Sequence, residues 1–93
     1  MSDKAIPTLQ IDNDRVRVIE WRFAPGAATG WHKHDYDYVV VPMTTGQLKL
    51  KDAQGERYAD LVAGVSYTRK AGVEHDVINP NKSEFVFVEI EMT

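Results

Sequence analysis

The 93-residue sequence contains no cysteine. Disulfides, thiolate metal ligands and thiol catalysis are therefore excluded. No run of apolar residues approaches the ~20 that a membrane-spanning helix needs. The first residues, from Met1 to Thr8, also lack the apolar stretch of a signal peptide. These absences predict a cytoplasmic protein that has no membrane partner.

An excess of positive charge is also missing. The formal net charge is -3, the isoelectric point is near 5.5, and no block of basic residues occurs, so we do not expect a nucleic-acid partner. Hydrophobic residues make up 43% of the chain and charged residues 27%, which is ordinary for a globular protein. The length suits one domain with a single core.

No segment shows a sustained helical period. Instead, short stretches alternate between apolar and polar residues, as in Gln47 to Lys51, and turn residues separate them. This pattern predicts about eight short strands in an all-β sandwich or barrel. We expect the barrel to cover approximately residues 14–92, with residues 1–12 as an N-terminal extension of the same single domain.

Two predicted strands carry apolar residues on both faces, namely Arg15 to Phe23 and Phe85 to Ile90. A small barrel can bury only one face of each strand well, so the second face predicts a homodimer. The large aromatic residues are expected to pack in the core or in this interface: Trp21, Phe23, Trp31, Phe85 and Phe87.

The three histidines of the chain lie in two strand-like segments. His32 and His34 are separated by one residue, so an extended backbone projects both side chains to the same face. His75 follows a second glycine-containing turn at Gly72. Three imidazoles that leave coordination positions open are typical of a catalytic metal site. The spacing alone is also compatible with two surface histidines and one structural histidine.

The segment from Gly26 to His34, followed by Tyr38 and Gly46, resembles the first motif of the cupin superfamily, G(x)5HxH(x)3-4E(x)6G. The segment from Gly64 to Asn79, with Gly72 and His75, resembles the second, G(x)5PxG(x)2H(x)3N. The chain is most similar to short single-domain bacterial cupins, among them a group called β-alanine degradation proteins. That name alone does not define a function here.

The resemblance implies a small antiparallel double-stranded β-helix, or jelly roll, often found as a homodimer. It implies that His32, His34 and His75 bind one divalent transition metal, such as Fe, Mn, Ni or Zn. Two departures from the motifs stand out. Tyr38 falls at the glutamate ligand, with Val39 as the alternative alignment, and Lys70 replaces the motif proline.

The candidate catalytic residue is Tyr38, which could donate a proton or a hydrogen bond to a bound substrate, or could simply fill the barrel. Three aspartates near the histidines, Asp35, Asp37 and Asp76, could orient the imidazoles or lie in solvated turns. Arg69 and Lys70 could bind an anionic substrate, or could be ordinary surface cations.

Three functions are compatible with these residues. The first is an enzyme, similar to a dioxygenase or to an isomerase or lyase, that acts on a small polar metabolite at a three-histidine metal. The second is a binding or sensing module that holds a small ligand without turnover. The third is a structural barrel whose histidines have no ligand.

Overall fold

Nine β-strands form the regular structure of residues 3–93, the part of the chain that the computed structural model describes. In chain order they are β1 (Ile6–Asp12), β2 (Val16–Phe23), β3 (His32–Lys33), β4 (Tyr38–Pro42), β5 (Gly46–Asp52), β6 (Gly55–Leu61), β7 (Tyr67–Arg69), β8 (Glu74–Ile78) and β9 (Phe85–Met92).

The strands form two antiparallel sheets that enclose one core. One sheet has the order β1-β2-β9-β4-β7 and the other has the order β3-β8-β5-β6. Consecutive strands often belong to different sheets, so the chain crosses repeatedly between them. Residues 3–93 contain no helix, and hence none that is long and apolar enough to cross a membrane. The all-β, antiparallel prediction is confirmed.

The N-terminal segment contributes a strand that the sequence analysis did not predict. β1 lies within residues 1–12 and pairs with β2 from Ile6, opposite Arg22, to Asp12, opposite Arg17. All its residues are exposed, so β1 extends the edge of the sheet and adds nothing to the core. The signal was hidden because Pro7 and the uneven spacing of the apolar residues interrupt the period of two.

The strand predicted to carry two of the histidines is shorter than expected and contains only one of them, His32. The sequence indicates a strand from Thr29 to His34, but β3 spans only His32–Lys33. Gly30 has a φ of +87°, a conformation outside the extended region that side chains other than glycine rarely adopt. The backbone therefore bends just before His32, and the strand begins after the bend.

Strict alternation along β9 separates the core from the outer surface. Phe85 and Phe87 face inward, as do Glu89 and Glu91, whereas the residues between them are only partly buried. The core combines these phenylalanines with apolar residues of both sheets: Phe23, Val40, Leu48, Leu50, Leu61 and Val77.

The aromatic residues take different places. Trp21 packs against the core, as expected. Trp31 lies outside it, because 53% of its surface is exposed and its indole donates a hydrogen bond of 2.7 Å to the Glu74 carboxylate. Trp31 is therefore not part of the core, and its packing in an interface stays a prediction, while Phe23, Phe85 and Phe87 are buried as expected.

Candidate metal centre

Pairing between β3 and β8 brings the two histidine segments together. His32 lies directly opposite His75 in the antiparallel register. His34 follows β3 at the same parity as His32, and its backbone N-H donates to the carbonyl of Val73 just before β8. Residues that are 41 positions apart in sequence therefore converge because two short backbone segments pair.

The ring nitrogens of the three histidines point toward one another. His34 Nε2 lies 3.0 Å from His32 Nε2 and 3.3 Å from His75 Nε2. One ligand atom from each residue lies within 4.8 Å of the others, and this group is the only such set of three among the described residues. The predicted convergence of the three imidazoles is therefore present in the structure.

These distances fit one shared metal ion. Metal-nitrogen bonds of ~2.0 to 2.1 Å, at angles between octahedral and tetrahedral values, place ligand nitrogens about 2.8 to 3.4 Å apart. Both nitrogen separations fall in that range. A cluster held only by hydrogen bonds fits less well. When three neutral imidazoles converge through unprotonated Nε2 atoms, their lone pairs point at one another and repel.

The tautomer of His32 supports the same arrangement. Its Nδ1 lies 2.8 Å from the carbonyl oxygen of Gly30 and 3.2 Å from the hydroxyl of Thr29. A carbonyl accepts hydrogen bonds only, so Nδ1 carries a proton, and in the neutral ring Nε2 then presents its lone pair to the cluster. The bend at Gly30 thus both begins the strand and orients the ring.

Burial keeps the other two imidazoles neutral. Desolvation, together with the charge of His32 and His75, lowers the pKa of His34 to about 4. Desolvation and the charges of His32, Arg57 and Arg69 lower the pKa of His75 to about 4. Both rings are therefore unprotonated at neutral pH, which is the form that binds a metal.

Tyr38 packs directly against this cluster. Its ring stacks on the His34 ring with a centroid distance of 3.9 Å and an interplanar angle of 20°, and only 2% of its surface is exposed. Burial and the Glu89 charge raise the pKa of Tyr38. The hydroxyl therefore keeps its proton at neutral pH and can donate a hydrogen bond, but it is a poor base.

The structure also distinguishes between Tyr38 and Val39, the two residues that can be aligned with the glutamate ligand of the cupin motif. Tyr38 faces the interior and Val39 faces outward, since β4 alternates between buried and partly buried residues. Tyr38 is therefore the residue at the inward position, and an aromatic ring stands where a carboxylate would be expected.

The three aspartates near the histidines do not bind the imidazoles. Asp76 accepts a hydrogen bond of 3.1 Å from the backbone N-H of Gly30, and Asp37 accepts one of 2.8 Å from Ala71. Both fix the loops that carry the histidines. Lys70 is exposed and does not line the central cavity, whereas Arg69 does.

The central cavity contains charged residues that the sequence-based predictions do not include. It has a volume of about 110 Å³, and the histidine cluster, Tyr38, Arg57, Arg69 and Glu89 line it. Glu89 shares the inward parity of Phe85 and Phe87, so a carboxyl that continues the parity of two phenylalanines was the available signal. Arg57 could not be found in the same way, because its strand β6 is largely exposed.

Comparisons with known proteins agree with this architecture. The family model described as "Cupin domain" matches residues 19–91. The chain belongs to the cupin family. A cupin domain from Bordetella pertussis Tohama I is 62% identical and superimposes with a TM-score of 0.99, covering 100% of this chain and 97% of that chain.

Two further matches are a curated protein and a solved structure. The beta-alanine degradation protein BauB of Pseudomonas aeruginosa is 61% identical over 89 residues, which cover 96% of this chain and 94% of that protein. A cupin domain of an XRE family transcriptional regulator from Enterobacter cloacae is 14% identical, with a TM-score of 0.76 and coverage of 98% of both chains. The latter likeness shows the fold alone.

Because Glu89 is buried, we expect the stability of this cupin to depend on pH. Desolvation and the neighbouring Glu91 carboxyl raise the pKa of Glu89 to about 7, against the opposing effect of Trp21. Because the pKa of Glu89 is higher in the folded protein than in the unfolded chain, where it is near 4.5, the protonated carboxyl favours folding. This contribution to stability is complete below pH 4.5 and is lost as pH rises through 7. Ionisation of Glu89 in the folded protein should therefore lower the free energy of unfolding by about 3 kcal/mol at pH 8.

Glu89→Gln should therefore raise the free energy of unfolding of metal-free protein at pH 8 by about 1 to 3 kcal/mol. At pH 4.5 the gain should vanish. Urea denaturation across this pH range measures the difference in free energy of unfolding between wild type and variant. The pH-dependent contribution of His34 and His75 has the opposite sign, but it is the same in both proteins and cancels in the difference. Glu84→Gln, at an exposed position, is the control. An equal gain at both pH values would contradict the prediction.

Proposed function

We propose that this cupin binds one divalent transition metal through His32, His34 and His75 and uses it to act on a small polar metabolite. The observation that carries the proposal is the convergence of three Nε2 atoms at distances of 3.0 and 3.3 Å. A three-nitrogen site is compatible with Fe, Mn, Ni or Zn. When bound, the metal would supply Lewis-acid polarisation or, as iron, chemistry with O2.

The protein's own residues define the rest of the chemistry. The cavity has room for a small molecule beside the histidines. Tyr38 would donate a hydrogen bond to an oxygen of that molecule, since its raised pKa keeps the hydroxyl protonated. The 61% identical BauB protein carries a name that places it in β-alanine degradation, which supports a small polar metabolite as the ligand class.

A second candidate is a module that binds or senses its ligand without turnover. The observation in its favour is that Tyr38, the candidate catalytic residue, is a poor base at neutral pH. The same fold occurs in a domain of a transcriptional regulator, so the fold is compatible with either function. The cytoplasmic location stays a prediction from the sequence.

Metal analysis of protein purified without an affinity tag tests the proposal. We expect close to one divalent metal per chain. A thermal-shift screen of small metabolites on the metal-loaded protein, followed by product analysis for each ligand found, then separates the two candidates. Conversion of the ligand supports the enzyme, whereas stoichiometric recovery of unchanged ligand supports the binding module.

Tyr38→Phe separates binding of the metal from use of the ligand. The variant keeps the ring that stacks on His34 and removes only the hydroxyl. We expect metal content within about 20% of wild type, with ligand affinity or turnover reduced about 10-fold, the value of one hydrogen bond. Tyr36→Phe, at an exposed neighbouring position, is the matched control. Loss of metal in Tyr38→Phe would contradict this division of roles.

We also propose that the protein is a homodimer that uses the outer face of the larger sheet. That face carries contiguous aliphatic residues from three neighbouring strands, namely Val16, Val18, Val39, Val41, Val86, Val88 and Ile90. All are only partly buried in the single chain. An apolar face of this extent is typical of an interaction surface.

Light scattering at micromolar concentration should give twice the 10.5 kDa chain mass. Ile90→Lys, at the centre of this face opposite Val18 and Val39, should shift the mass to that of the monomer. Val62→Lys changes an exposed valine outside the strands and should leave the dimer intact. A monomeric wild-type protein would contradict the proposal.

A further inference from the structure

Two arginines project into the mouth of the central cavity from different sheets. Arg57 lies on β6 opposite Leu50, and Arg69 lies on β7 opposite the inward-facing Tyr38. β6 and β7 are the terminal strands of their sheets. Both residues line the cavity and both are exposed, so they place cationic side chains at the solvent-facing part of the site.

Each arginine is held by a contact that leaves part of its hydrogen-bonding capacity free. The Arg69 guanidinium lies 4.6 Å from the centroid of the Tyr67 ring, and its Nη1 donates to the carbonyl of Thr68. Arg57 donates through Nη1 to the Asp52 carboxylate and forms an ion pair with it, which balances part of its charge. A guanidinium carries five N-H donors in a fork that matches a carboxylate, so both groups can still bind an anion.

The opposite charge lies on β9. Glu89 and Glu91 are only 6% and 8% exposed, and neither forms a salt bridge with any described residue. Glu89 lines the same cavity as the arginines. A buried carboxylate without a cationic partner is costly. A ligand that brings a cation would relieve this cost.

We propose that the cavity binds a small molecule that carries both a carboxylate and an amino group, with the carboxylate at Arg57 and Arg69 and the amino group at Glu89. This inference rests on the proposed function, since it assigns a ligand class to the same site. The histidine cluster lines the same cavity as these charged residues.

The size of the site fits this ligand class. The cavity of about 110 Å³ is several times the ~30 Å³ that a water occupies in the liquid, so it suits a short amino acid rather than a large ligand. Arg69 and Glu91 both lie opposite Tyr38 in the register of the larger sheet. Strands β7 and β9 are thus separated by one strand, or about 10 Å, which side chains and a short ligand together can span.

Three probes test the proposal by calorimetry at pH 8, where the Glu89 carboxyl is largely ionised because its pKa is about 7. β-Alanine has both charged groups, propionate lacks the amine, and propylamine lacks the carboxylate. We expect β-alanine to bind about tenfold or more tightly than either single-ended probe. Each probe is titrated into metal-loaded and metal-free protein, with metal content measured on the same samples.

The variants assign each end of the ligand. Arg57→Gln and Arg69→Gln should each weaken β-alanine and propionate alike, by about tenfold or more. Glu89→Gln should lower the affinity for β-alanine to that for propionate, and it should leave the affinity for propionate unchanged. Arg22→Gln and Glu84→Gln make the same substitutions in an exposed ion pair away from the cavity and should change nothing.

Three results would overturn the inference. They are equal affinity for β-alanine and propionate, no effect of Glu89→Gln on β-alanine, and no binding of β-alanine to either form of the protein. Failure of the proposed function would look different, because it would appear as wild-type protein that takes up no metal, whatever the probes do.

Discussion

Replacing His75 with alanine should remove almost all of the bound metal. The Nε2 atoms of His34 and His75 lie 3.3 Å apart, so both nitrogens belong to one ligand set, and the two remaining imidazoles form no comparable chelate. Loss of partners that merely orient a ligand costs roughly 10- to 100-fold in metal affinity. Loss of a ligand should therefore cost more than about 100-fold. Elemental analysis of the dialysed protein measures the change.

His32→Ala and His34→Ala should behave in the same way, because all three residues contribute to one site. The fold should survive in each variant, since the buried hydrophobic cluster includes no histidine. Circular dichroism checks this point. If His75→Ala kept full metal while His32→Ala lost it, the two histidine segments would not share one ion, and the proposed function would lose its basis.

The histidine cluster was predictable because each step relies on local chemistry. A period of two places His32 and His34 on one face, and the resemblance to the cupin motifs adds His75. Tyr38 followed from the same motif. The all-β architecture followed from closely spaced turns and from the absence of a helical period.

Two charged residues of the cavity, Arg57 and Glu89, were not among the predicted site residues, whereas Arg69 was named as a possible anion-binding residue. Arg57 and Glu89 become neighbours of the site only because β6 and β9 border the same cavity, and sheet order is set by long-range packing rather than by any local pattern. The β1 strand was missed for a related reason, since a fully exposed edge strand has no buried face to impose a period.

The largest effect on stability should come from Asn79, which is fully buried. Its side-chain amide donates to the carbonyls of Phe23, Ala24 and Ser83 at 3.2, 3.3 and 2.9 Å. Its oxygen accepts hydrogen bonds of 2.9 and 2.7 Å from the backbone and side chain of Asn81. One side chain thus joins the end of β2 to the loop before β9.

Asn79→Ala should lower the free energy of unfolding by about 3 kcal/mol, because it leaves several buried carbonyls and N-H groups without partners. For a domain of this length, that loss corresponds to a decrease in Tm of roughly 10 to 20 °C. Urea denaturation at a fixed protein concentration measures it. Asn13→Ala is the matched control, because Asn13 accepts two backbone hydrogen bonds in an exposed turn, and it should cost about 1 kcal/mol or less.

Metal content then separates a structural role for Asn79 from a role at the site. Every polar atom of this side chain is bound to protein groups at the junction of β2 and the loop before β9, and Asn79 does not line the cavity. Folded Asn79→Ala protein, measured well below its Tm, should therefore bind as much metal as wild type. If the variant lost metal but kept its stability, Asn79 would position the histidines instead of stabilising the fold.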